Sequence, residues 1–128
     1  MMTLKDIRIK RKIISELIKV KGVMLLAFVN SDGLVELSDA KREFKNEDYN
    51  DLLEDIQRIA SLVGYSYKNE LTINRRGLNL PREWVIYYEK WLLDIVSLDS
   101  ELLVMLLTYD VDLNSLRKFF NSFIRRRK

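Results

Sequence analysis

The sequence predicts an α+β fold: a five-stranded antiparallel sheet in the order 2-1-5-4-3, with helices on both faces. Three observations predict it. Leu102 to Leu107 and Val23 to Val29 are unbroken apolar runs, and each is too short for a typical helix. A strand with one wet face alternates apolar and polar residues, so strands that do not alternate are covered on both faces and lie centrally. The connections inside each group of strands are too short for parallel crossovers, which makes the sheet antiparallel. If the first strand pairs with the last, both apolar runs fall in the middle and the order follows.

The elements read as follows. Thr3 with Asp6 forms a loose capping box for a helix running to Val20. Its stripe is Leu4, Ile7, Ile14, Leu17 and Ile18, and Gly22 closes it in the left-handed conformation. Val23 to Val29 is the first strand. Asn30-Ser31-Asp32-Gly33 is a turn, and Leu34 to Ser38 is a shorter strand nearer an edge. Lys41 to Lys45 is a polar connection. Asn46 caps a second helix, in which Tyr49, Leu52, Leu53, Ile56, Ile59, Ala60 and Val63 form a wide apolar face ended by Gly64. Residues 65–83 are polar and carry Gly77 and Pro81, which suits a long connection or insertion. Trp84 to Tyr88, Trp91 to Leu98 and Glu101 to Tyr109 form a meander, turning at Glu89-Lys90 and at Asp99-Ser100. Asp110 and Asp112 mark a turn and the start of a last helix, since carboxylates accept the free N–H groups of a helix N-terminus. Leu113, Leu116, Phe120, Phe123 and Ile124 recur along that helix at helical spacing.

Composition narrows the function classes. The 128 residues suit one domain with a real core, and 48% apolar with 32% charged residues is an ordinary globular balance. No stretch approaches the ~20 apolar residues of a membrane span. The charged N-terminus does not resemble a signal peptide, so a cytoplasmic location is the default expectation. The chain has no Cys and no His, which removes disulfides, thiolate metal sites and the usual imidazole base. The net charge of +3 is mild. Two basic clusters, Lys5 to Lys12 and the tail at Arg125 to Lys128, could meet nucleic acid or anionic lipid, but solvated termini are the plainer account. No nucleic-acid partner is expected.

The candidate chemistry has structural explanations. Glu54 and Asp55 are adjacent on a helix and point apart. Asp110 and Asp112 are explained by the helix start. Arg75-Arg76-Gly77 is a basic loop tip with no phosphate-binding fingerprint around it. Strand alternation puts Trp84, Ile86 and Tyr88 on one face and Val85, Tyr87 and Glu89 on the other. That pattern suits a core together with an interface better than base stacking. No catalytic, cofactor or metal residue is assigned.

Three segments in this order resemble the roadblock/LC7 domain family. Ile13 to Asp39 (IISELIKVKGVMLLAFVNSDGLVELSD) is similar to the family's opening: a helix, a "pGV" step, an apolar strand, an "xxDG" turn and a second strand. Tyr49 to Gly64 is similar to its central helix. Glu101 to Phe120 resembles its closing strand, acidic turn and last helix, with Asp112-Leu113-Asn114-Ser115-Leu116-Arg117 in place of an "aNLglvR" segment. The connection at 65–83 is longer than the family's, and Glu89-Lys90 lacks a glycine often found there. Longin and profilin-like domains share much of this layout.

The resemblance implies a non-catalytic homodimer. The third strands would pair edge to edge into a ten-stranded sheet, with the central helices side by side. That platform would bind a small Ras-like GTPase or a scaffold partner. The residues implied for the dimer interface are Trp84, Ile86, Tyr88, Leu52, Ile59 and Val63. Tyr49, Phe119, Arg125 and Arg126 are candidates for partner contact. The exposed, unblunted third strand independently favours pairing with its copy. The competing expectations are a longin/profilin-like module for trafficking or cytoskeletal partners, and a nucleic-acid or membrane-surface binder acting through the basic termini.

Overall fold

The computed structural model describes residues 7–30, 32–44, 49–73, 83–98 and 101–127, without the side chains of 64–73 and 123–127. The elements are α1 (Ile7–Leu17), β1 (Val23–Val29), β2 (Val35–Ala40), a 3-10 turn (Arg42–Phe44), α2 (Tyr49–Ile73), β3 (Glu83–Tyr87), β4 (Leu92–Leu98), β5 (Glu101–Leu107) and α3 (Leu113–Arg127). The sheet is antiparallel throughout, in the order β2-β1-β5-β4-β3. Every residue of β1 and β5 is buried, as unbroken apolar strands require.

The two faces have separate cores. Ile13, Ile14 and Leu17 of α1 and Leu116 of α3 pack on Val23, Leu26, Phe28, Leu103, Met105 and Leu107. Ile56 and Ala60 of α2 pack on Leu25, Ala27, Val29, Leu93, Ile95, Val104 and Leu106. The result is three layers: α1 and α3, the sheet, and α2.

The turns explain how the sheet is tied. Asn30 accepts the N–H groups of Asp32 (3.0 Å) and Leu34 (3.1 Å) on its side-chain oxygen. Gly33 takes φ 81° there, a conformation that favours glycine. Gly22 has φ 87°, and a β-carbon on it would lie 2.4 Å from the Val111 α-carbon. That close approach lets Asp112 donate its N–H to the Lys21 carbonyl (3.0 Å) and Thr108 donate its N–H to the Gly22 carbonyl (2.8 Å). The start of α3 is thereby fixed against the end of α1. Asp112 caps α3, accepting the Ser115 N–H at 3.1 Å and the Ser115 hydroxyl at 2.7 Å.

Two helix ends differ from the sequence reading. The regular helix of α1 ends at Leu17, not Val20, because the chain tightens there: Lys19 and Val20 donate to Glu16 and Leu17, three residues back. The second helix does not stop at Gly64 but runs to Ile73, so the first part of the expected connection at 65–83 is helical. A glycine inside a helix costs only about 1 kcal/mol. It ends a helix when the chain also takes the left-handed turn, and Gly64 stays helical. The remainder of that connection, the Thr3/Asp6 and Asn46 caps, the Asp99-Ser100 turn and the Arg75-Arg76-Gly77 tip lie outside the described residues.

Candidate functional site: the β3 edge and the α2 face

The sheet has two edges, and they are built differently. β2 carries Glu36 and Asp39, and a bulge where its pairing with β1 skips from Leu37 to Val35. Gln57 of α2 accepts the Val35 N–H at 3.2 Å. Charges, bulges and covering side chains all discourage a sheet edge from recruiting another strand. β3 has an unbroken register with β4, from Glu83 opposite Val96 to Tyr87 opposite Leu92. Apart from Glu83 at its start it is aromatic and aliphatic (EWVIY), with no bulge, Lys or Pro.

Alternation along β3 is regular. Trp84 and Ile86 are half-buried against the core beneath α2. Val85 (41% exposed) and Tyr87 (73% exposed) point to the opposite face, where α1 and α3 leave them uncovered. Tyr88 is exposed just past the strand. Its N–H donates to the Trp91 carbonyl (2.8 Å), closing the two-residue turn at Glu89-Lys90, and its carbonyl accepts the Tyr109 hydroxyl.

The α2 candidates lie along the same side of the sheet. Leu52, Ile59 and Val63 are half-buried against the α2-side core, as are Tyr49 and Leu53. Tyr49 is tied down further, because its hydroxyl donates to Ser38 at 2.9 Å. Leu62, which the sequence reading left out, is 70% exposed and is the most open large aliphatic on this helix among the described residues. Phe119 lies on the other layer, half-buried and edge-on to Phe120 with ring centroids 5.5 Å apart. Arg125 and Arg126 are in α3, and their side chains are outside the described residues.

The α1 layer holds a group that sequence reading missed. Lys10 is only 2% exposed. Its ammonium donates to Glu101 at 2.6 Å and to Glu36 at 2.5 Å, and lies 5.8 Å from the Phe28 ring centroid. Glu36 reaches it because of the bulge, which also sends Val35 and Leu37 to opposite cores. Burial alone would lower the Lys10 pKa, but the hydrogen bonds and charges of the two carboxylates outweigh it and hold the pKa above the ordinary value. Glu36 is held below its ordinary value by Lys10. Glu101 is raised by burial despite Lys10. One lysine between two acids is a structural clamp of α1 onto β2 and β5. No spacing rule in the sequence announces it, since Lys10 sits in a basic run that reads as solvated.

A second buried acid, Asp94, lies in the middle of β4 and is 7% exposed. Burial, then the hydrogen bond and charge of Glu83, push its pKa to about 8. Among the described residues no cluster of three acids could hold a metal ion, and no helix is long and apolar enough to cross a membrane.

No protein-family model and no curated protein matches the sequence. Solved structures do match the fold. A roadblock/LC7 domain from Streptomyces avermitilis aligns over 82% of each chain, with a TM-score of 0.58 and 18% identity. The gliding protein MglB from Thermus thermophilus aligns over 95% of this chain and 87% of its own, with a TM-score of 0.66 and 14% identity. This chain has the roadblock/LC7 fold. Myxococcus xanthus MglB gives the same picture, with a TM-score of 0.65 at 16% identity over 95% of this chain. Another MglB structure, also matching with a TM-score of 0.66, is described as having a tetrameric arrangement. At these identities the likeness lies in the roadblock/LC7 architecture: the strand order, the three helices and their layers.

Proposed function

We propose that this chain is a non-catalytic, homodimeric roadblock-like adaptor or regulator that binds a small Ras-like GTPase. The observation that carries the dimer is the contrast between the edges. β2 is bulged and charged, whereas β3 presents an apolar, regular edge that a two-fold copy would continue at the usual ~4.8 Å spacing. The roadblock resemblance implies that the two α2 helices then lie side by side on one face. Exposed Leu62, with the half-buried Leu52, Ile59 and Val63, then has a partner helix to meet. The GTPase follows from the roadblock resemblance, whose implied role is a platform for such proteins.

The GTPase is tested by binding. Small GTPases of the same organism, loaded with GDP or a non-hydrolysable GTP analogue, are titrated against the chain. The proposal expects one of them to bind in one nucleotide state at least about tenfold more tightly than in the other, a difference of about 1.4 kcal/mol. Equal or absent binding in both states for every such GTPase contradicts it.

A further inference from the structure

We propose that two copies of this chain join through β3 in one register, centred on Val85, with Glu83 of each copy opposite Tyr87 of the other and Trp84 opposite Ile86. The inference rests on the dimer proposed above and deepens it, because it names the residue of the second copy that each residue of β3 meets.

The direction of the backbone groups limits the registers. The Tyr88 N–H turns inward to the Trp91 carbonyl, and the direction alternates along a strand. Trp84 and Ile86 therefore turn their N–H and C=O groups to β4, and Glu83, Val85 and Tyr87 turn theirs to the free edge. Between antiparallel strands, outward residues face outward residues. A two-fold axis can then stand at Trp84, Val85 or Ile86.

An axis at Val85 matches all 5 residues of β3 with the same 5 of the copy. Val85 exchanges both of its bonds with Val85 of the copy, and Glu83 exchanges both with Tyr87 at each end. An axis at Trp84 carries Ile86 and Tyr87 past the start of the copy's β3, so the outward groups of Tyr87 lose their match. An axis at Ile86 carries Glu83 and Trp84 past its end and sets Glu83 opposite Glu89. Like charges directly opposite destabilise a strand pair. The side chains agree with the Val85 axis. On the α2 side, the half-buried Trp84 and Ile86 meet as an aromatic and a β-branched residue, a pairing that stabilises neighbouring strands. On the other side, the exposed Val85 covers its own copy, and the exposed Tyr87 lies beside the stem of Glu83.

The chain has no cysteine, so a single introduced one reports its own neighbour without background. The full chain carrying Val85→Cys, Trp84→Cys, Ile86→Cys or Leu34→Cys is oxidised at a concentration where it sediments as a dimer. Disulfide-linked dimer is then read on a non-reducing gel. Directly opposed residues that exchange hydrogen bonds have α-carbons ~5.5 Å apart, inside the ~4.4–6.8 Å range of disulfides. Two residues out of register the separation is ~8 Å, too far to bridge. Val85→Cys should therefore link to itself at least about tenfold faster than Leu34→Cys, an exposed turn residue that reports chance collision. Trp84→Cys alone and Ile86→Cys alone should not exceed that control, and the two mixed should link to each other. A dimer that links through Trp84→Cys or Ile86→Cys alone, and not through Val85→Cys, has another register and overturns the proposal while the dimer stands. So does a dimer in which neither Val85→Cys nor the mixture links above the control. If Val85→Cys does not sediment as a dimer, the mixture decides instead. A wild-type chain that sediments as a monomer overturns the dimer and this register together.

Discussion

Two buried titratable groups, Lys10 and Asp94, are single residues that the core has to accommodate. Lys10 is satisfied by Glu101 and Glu36, so removing it leaves Glu101 buried without its cation. Lys10→Met should cost about 3 kcal/mol, the scale for breaking a buried pair from one side. A denaturant midpoint measures it, and the double variant Lys10→Met with Glu101→Leu should recover most of the loss. Asp94 behaves in the opposite sense. Its ordinary pKa of 3.8 rises to about 8 in the folded chain. Between those values the folded state holds one proton more than the unfolded state, so this group makes stability fall as pH rises through that window. Asp94→Asn removes that fall. The stability difference between variant and wild type should grow in favour of the variant from pH 4 to pH 8, as read by urea denaturation at each pH. A difference that stays flat would mean Asp94 titrates normally. Neither group was legible in the sequence. Lys10 lies in a basic run and Asp94 in a strand whose pattern it interrupts once, and only the tertiary fold brings Glu36, Glu101 and Glu83 to them.

At the scale of elements, the strands were the most legible part. β1 and β5 declare themselves by apolar runs that do not alternate, and the order β2-β1-β5-β4-β3 follows from placing both centrally. Turn chemistry was equally readable: Gly22 and Gly33 do take positive φ, and Asp112 does cap α3. The end of α2 was not, because Gly64 lowers helix propensity without supplying a stop, and packing on the sheet carries the helix through. The candidate interface was legible as a stripe but not as a surface. Periodicity picked out Leu52, Ile59 and Val63 without showing that Leu62 is the open one. β3 gives a direct prediction at this scale. Val85→Pro removes an N–H that points to the free edge and costs no bond to β4, because the Tyr88 N–H turns to Trp91 and the direction alternates along the strand. It should abolish self-association while changing the stability of the fold by no more than about 1 kcal/mol. Size-exclusion chromatography and a thermal melt of the same sample check both halves.

For the whole molecule, the three layers divide the work. The α1 and α3 layer is clamped by Lys10 and fixed by the Gly22 contact with Val111, and it holds one face of the sheet. The α2 layer and β3 carry the surfaces through which we infer association. The central strands β1 and β5 hold both layers together and are buried away from any partner. The central claim is that β3 is an interface between two copies of this chain. Sedimentation equilibrium across about 1 to 50 micromolar, a range that spans ordinary dimer affinities, tests it most directly. The expected mass is twice 15.3 kDa, falling to the single-chain mass for Val85→Pro. A wild-type chain that sediments as a monomer at tens of micromolar would contradict it.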